Sequence, residues 1–285
     1  MPHWLKGCVL FLLAACSLAA CIEREEGCLD IAARNFTADA DDPCPDSCCV
    51  YPTWELTVRH RFRPADRPDT LVAFSYDSIY ATSAFSSSLF QFDSVRFFLS
   101  DFTLEFANGT TAAVTDKLEI TLADGTAESI RDDFLTAEPR LFNATEVGTI
   151  ITSGTLTGVR FLLGLTENLR TADLESFPTG NPLDLPADAY NHAEGDGFLP
   201  LRMRLVAPPG ATDTLDVRVL EPISVVLTLD APFVLEPGFD LGVTLTVDYA
   251  AWLGDVNVAT ATEAEVMQAI RNGAANSFAV IAVEN

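Results

Sequence analysis

The sequence has 285 residues, 48% of them hydrophobic, and carries 41 acidic against 17 basic side chains for a formal net charge of −24. Such an acidic excess argues against nucleic acid and anionic lipid headgroups as partners, since both need positive surface for counterion release or attraction. It leaves cations as the natural small partners, and the apolar content suffices for a packed core in one large domain or two small ones.

In chain order, residues 1–20 come first. Lys6 precedes an apolar run from Cys8 to Ala15, and Leu18-Ala19-Ala20 ends on Cys21. The layout is that of a secretory signal, and the run is too short for a spanning helix. Leu18-Ala19-Ala20-Cys21 resembles a bacterial lipoprotein lipobox, which implies that Cys21 is acylated, becomes the first mature residue and ties the chain to the membrane. Removal of residues 1–20 takes away one lysine and no acid. The acidic tether 21–26 resembles the export signal of some Bacteroidetes lipoproteins, which implies an outer-membrane lipoprotein, periplasmic or surface-exposed.

Residues 27–52 hold four cysteines and five aspartates. In an oxidising compartment an even number of cysteines in a loop-rich segment reads as a disulfide module. Neighbouring Cys48 and Cys49 are too close to bond each other in ordinary geometry. The favoured pairing is Cys28 with Cys49 and Cys44 with Cys48. The crossed pairing and a four-cysteine zinc site are the alternatives, although the spacing lacks two CxxC knuckles. The order Gly27-Cys28-x-Asp30-x-x-Ala33-x-Asn35-Phe36, then Ala40-Asp41-Asp42 and a cysteine before Tyr51-Pro52, resembles a short repeat of Bacteroidetes surface proteins. Asp39, Asp41 and Asp42 are candidate calcium ligands because they offer hard oxygens, though they do not fit an EF-hand loop. A solvated acidic loop is the plainer alternative.

From Trp54 the pattern is alternation. "WELTVRHRF" places Trp54, Leu56, Val58, His60 and Phe62 on one face, and period two recurs in "FLSDFTLEF" (Phe98, Phe102, Leu104, Phe106), "GVRFLLGL", "LPLRMRLV", "LDVRVL", "ISVVLTL" and "LGVTLTVDY". Asn108-Gly109, Asp124-Gly125, Pro208-Pro209-Gly210 and Pro237-Gly238 read as turns between them. Many short strands and few helices predict an all-β fold, an antiparallel β-sandwich over residues 53–285. One helix is expected near Glu263 to Arg271, with a capping box at Thr262 and Glu265. Two stretches break the alternation: residues 63–88, and residues 171–198 with six acids, three prolines and His192. A connection as long as the second is usually functional, which makes it the expected place for a binding site.

No enzyme constellation emerges. The mature cysteines are absorbed by the anchor and the module, and GxSxG, HExxH, Walker and dinucleotide patterns are absent from the sequence. The expectation is a protein that is not an enzyme.

"SVRFFLSDFTLEFANG", "LTGVRFLLGLTENLRTA", "YNHAEGDGFLPLRMRL" and "LGVTLTVDYAAWLGDV" follow one another in the order seen in the MbnP-like family, which this chain resembles over roughly residues 54–284. The resemblance implies a periplasmic or lipid-anchored β-sandwich that binds copper through histidines and a tryptophan oxidised to kynurenine, with a di-haem cytochrome peroxidase as partner. His60 stands where members commonly have a histidine. Tyr190 and Gly197-Phe198 match a tyrosine and a glycine-aromatic pair, with Asn191 and His192 in place of the usual tryptophans. The candidate metal residues are therefore His60, His192, Glu194 and Asp196, and Trp54 and Trp252 are the mature tryptophans. The alternative is a surface-binding or scaffolding lipoprotein whose metal site is lost. Mass mapping of protein made in an oxidising compartment is expected to find Cys28, Cys44, Cys48 and Cys49 in two disulfides; four free thiols would refute the module.

Overall fold

The computed structural model describes residues 24–45, 48–140, 143–184, 192–193, 197–254 and 256–285. The alternating segments become nine principal strands: β1 (Thr53–Phe62), β2 (Gln91–Phe106), β3 (Thr145–Thr149), β4 (Gly154–Leu163), β5 (Leu201–Val206), β6 (Leu215–Val219), β7 (Ile223–Leu235), β8 (Leu241–Asp248) and β9 (Phe278–Glu284). One sheet runs β3-β1-β8-β9 and the other β6-β5-β2-β4-β7, with short strands added at β1 and β2. The fold is all-β, and the two inner faces meet in one cluster. It joins Trp54 and Leu56 of β1, Leu241, Val243, Leu245 and Val247 of β8, and Phe97, Phe102 and Leu104 of β2.

Trp54 meets Phe102 edge-on across the two sheets, at 5.4 Å between ring centroids. Full burial of each such side chain stabilises the fold by roughly 1.5–3 kcal/mol. Among the described residues no helix is long and apolar enough to cross a membrane.

Two details differ from the alternation as read from sequence. First, the sandwich is not wholly antiparallel: β1 and β8 run parallel, with Trp54 beside Leu241 and His60 beside Val247. Most of the domain separates these strands in the chain, so no tight turn imposes an antiparallel pair. Second, Phe98 does not share a face with Phe102. Phe97 and Leu99 point into the sandwich, as do Phe102, Leu104 and Phe106, while Phe98 points outward. The phase changes at Asp101, which has φ 57°. Between the Arg160–Thr103 and Leu162–Ser100 pairs, Phe161 alone faces both Asp101 and Phe102. This is a β-bulge, and its extra residue shifts the alternation beyond it.

The bulge is held by buried acid. Asp133 accepts a hydrogen bond from the Phe102 amide at 3.0 Å, and Arg131 lies 3.6 Å from Asp133 and also pairs with Asp101. On the outer face Phe98 seeds a second cluster with Ile120, Phe134, Leu165, Leu169, Phe177, Leu183 and Phe198. The described part of the irregular segment 171–198 thereby becomes a cover for this sheet. Helix α1 (Glu167–Arg170) contributes Leu169 to it. Residues 63–88 form the short strand Val72–Ala73 and bring Phe74 and Tyr80 onto the end of the main core.

Helices α2 (Tyr249–Leu253) and α3 (Glu263–Gly273) close the same end. The expected capping box is present in α3, with Thr262 and Glu265 exchanging backbone and side-chain hydrogen bonds. The N-terminal module pairs Cys28 with Cys49 and Cys44 with Cys48, at Cα separations of 5.1 and 6.1 Å. Asp30 receives the Tyr51 hydroxyl, and Asn35 binds the backbone at both Cys48 and Val50. The module rests on the β7–β8 turn. There Gly238 has φ 80°, and a Cβ on it would come 2.8 Å from the Ala33 carbonyl oxygen. Asp240 ties the junction by accepting from the Thr53 amide and pairing with Arg34.

Burial raises the Asp133 carboxyl from 3.8 to about 6. A carboxyl raised by folding contributes stability that is complete below its unfolded value and lost as pH rises through its folded one. Asp133→Asn is expected to remove that decline, so urea unfolding on either side of pH about 6 should show a pH-dependent difference between variant and parent.

Candidate metal centre

His60 lies near the end of β1, where the parallel register sets it beside Val247 and close to the start of α2. Asp248 fixes this corner: it caps α2 by accepting from the Ala250 amide, and it also accepts from the backbone and side chain of Arg63. Tyr249 is thereby turned inward and is fully buried. Its hydroxyl and His60 Nδ1 share a hydrogen bond of 2.6 Å, with the two rings stacked at 5.8 Å. Phe74 and Trp252 each meet Tyr249 edge-on at 4.9 Å, and Phe97 flanks both His60 and Trp252.

Desolvation dominates the electrostatics. Burial lowers the His60 pKa from 6.5 to about 4 and pushes the Tyr249 phenol well above its usual value. The imidazole is therefore neutral at physiological pH. Its Nε2 is buried and has no hydrogen-bond partner. If Tyr249 donates to Nδ1, an Nε2–H is left unpaired; if Nδ1–H donates to Tyr249, an Nε2 lone pair is left. Either costs about 1–3 kcal/mol. The second arrangement is that of a metal-binding imidazole, whose other nitrogen is held by an oxygen acceptor.

The backbone of His192 pairs with Phe198, whose side chain packs on the outer face with Phe98, whereas His60 packs against inward-pointing Phe97. Glu194, Asp196, Tyr190 and Cys21 lie outside the described residues. Asp42 pairs with Arg24 at 2.8 Å, Asp41 accepts from the Glu25 amide, and Asp39 is exposed. Among the described residues the one group of three potential ligands within 4.8 Å is Cys44, Cys48 and Cys49, and its sulfurs are committed to disulfides. The three aspartates thus do not form a calcium cluster of that kind.

Of the tryptophans, Trp252 adjoins the His60–Tyr249 pair and donates to the Ser277 hydroxyl at 2.7 Å. Trp54, six residues before His60 on the same strand, is roughly 20 Å away. Sequence reasoning identifies His60 but misses Tyr249 as its partner; the available signal is Asp248, a helix-capping residue type directly before it.

A model of the MbnP family matches residues 55–268. Among solved structures, MbnP from Methylosinus trichosporium is a match at 12% identity and a TM-score of 0.38, over 71% of this chain and 78% of that one. Comparison with curated proteins finds no match.

His60 is expected to titrate near pH 4 by NMR. Because the unfolded chain binds the proton more readily, its contribution to stability is complete above 6.5 and lost as pH falls through about 4. Tyr249→Phe should cost about 1 kcal/mol in chemical unfolding.

Proposed function

The chain belongs to the MbnP family, and from that premise we propose that it is a lipid-anchored, non-catalytic cell-envelope protein that binds copper at His60. The observation that carries the reading is the buried, unpartnered Nε2 of His60 with Nδ1 fixed by Tyr249. A neutral imidazole is a suitable ligand for copper. Phe74, Phe97 and Trp252 surround the His60–Tyr249 pair with apolar rings, which supports a binding role over catalysis. Copper would supply a redox-active centre, and the family resemblance implies a di-haem cytochrome peroxidase as the partner that uses it. Trp252 is better placed than Trp54 to be the oxidised tryptophan, since it touches Tyr249.

Among the described residues the prepared imidazole of His60 belongs to no group of three potential ligands. The remaining ligands would come from a partner, which suits transfer better than storage. A second reading, a surface-binding or scaffolding protein without the metal, is favoured by the same lack of convergent ligands among the described residues.

Copper titration of the purified protein distinguishes them. The first reading expects saturable uptake that is lost in His60→Ala and retained in His192→Ala, and that persists below pH 6.5 because His60 stays neutral to about 4. No saturable uptake in either redox state, with His60→Ala indistinguishable from the parent, supports the second.

A further inference from the structure

The N-terminal module and the β7–β8 turn leave an apolar face in solvent. Ile31 is 63% exposed, Phe36 42% and Phe239 56%, and the three line one concavity together with Ala33, Pro237 and Gly238. The charged side chains in it, Arg34 and Asp240, are paired with each other at 3.4 Å. Large exposed side chains that share a face mark a contact surface more often than scattered ones do.

The covalent chain limits what can cover this face. Phe36 is in bridge register with Cys28, seven residues after Cys21. Seven residues span at most about 25 Å even when fully extended. A lipid on Cys21 therefore keeps the module at the bilayer surface. We propose that the face formed by Ile31, Phe36 and Phe239 docks on the membrane that holds the lipid anchor, an inference that rests on the acylation of Cys21 proposed above. Acyl chain and apolar side chains then act as two membrane signals, and two orient a protein where one merely tethers it.

The surrounding charge and the geometry of β1 sharpen the proposal. Asp39 and Asp41 are exposed in the same module, so the face should favour neutral headgroups and be weakened by anionic ones. Thr53, at the start of β1, is tied to Asp240 beside the docking face. His60 is seven residues further along the strand, roughly 23 Å away. Docking would therefore hold the His60 end away from the bilayer.

The test uses the full acylated protein in phosphatidylcholine vesicles with brominated acyl chains. Phe239→Trp places a reporter on the face, and Leu89→Trp places one beside Phe62 at the opposite end of β1. Trp54 is fully buried and reports an intact fold. The expected result, relative to the parent, is loss of emission from Phe239→Trp, little from Leu89→Trp, and recovery as anionic lipid is added. No quenching at Phe239→Trp on a chain whose mass carries acyl groups on Cys21 overturns the docking and leaves the anchor intact. A blue shift without quenching assigns the face to a second copy or another protein and overturns it too. Absence of acyl groups on Cys21 overturns both the anchor and the docking.

Discussion

The parallel pairing of β1 with β8 is the constraint on which the candidate site depends. It joins the first strand of the sandwich to one close to the end of the chain and sets His60 beside Val247. The chain leaves β8 through Asp248 into α2, and that capped turn carries Tyr249 back to His60. Neither residue would be enclosed in this way without the other's strand. The site is thus a product of long-range topology, and its stiffness comes from the core on which it is built.

The bulge at Asp101 plays a comparable part in the other sheet. By shifting the phase of β2 it keeps Phe102 facing the partner sheet although Phe98, four residues earlier, faces outward into the second core. The outward cluster then gives residues 165–183 and Phe198 something to bury against. The cost is a positive φ and a buried carboxyl, offset by the Phe102 amide and by Arg131. An irregular segment that looks like a loose binding loop in sequence is in good part the lid of a second core.

What is legible in the sequence is local. Period-two alternation marks the strands, and the glycines at 109, 125, 210 and 238, all with positive φ, mark turns. The capping box of α3 needs only four consecutive residues, and crowding four cysteines into one segment leaves few pairings. What is not legible is non-local. Alternation cannot reveal a one-residue bulge, so it puts Phe98 on the wrong face. Strand direction is not encoded when no turn links the pair. Phe198 meets the outer face of β2 and His60 the inner one, and no local pattern records that.

The two ends of the molecule carry different chemistry, and β1 measures the distance between them. At its start, Thr53 is bound into the module junction through Asp240; near its end, His60 presents a neutral imidazole to an aromatic pocket. Burial that lowers the His60 pKa also withdraws the ring from protons, which compete with metals for the same lone pair. The strongly acidic surface would gather cations without discrimination, whereas a desolvated imidazole selects for ions that bind nitrogen. Selectivity at His60 would then come from exclusion of water and protons by packing, and not from the number of ligands.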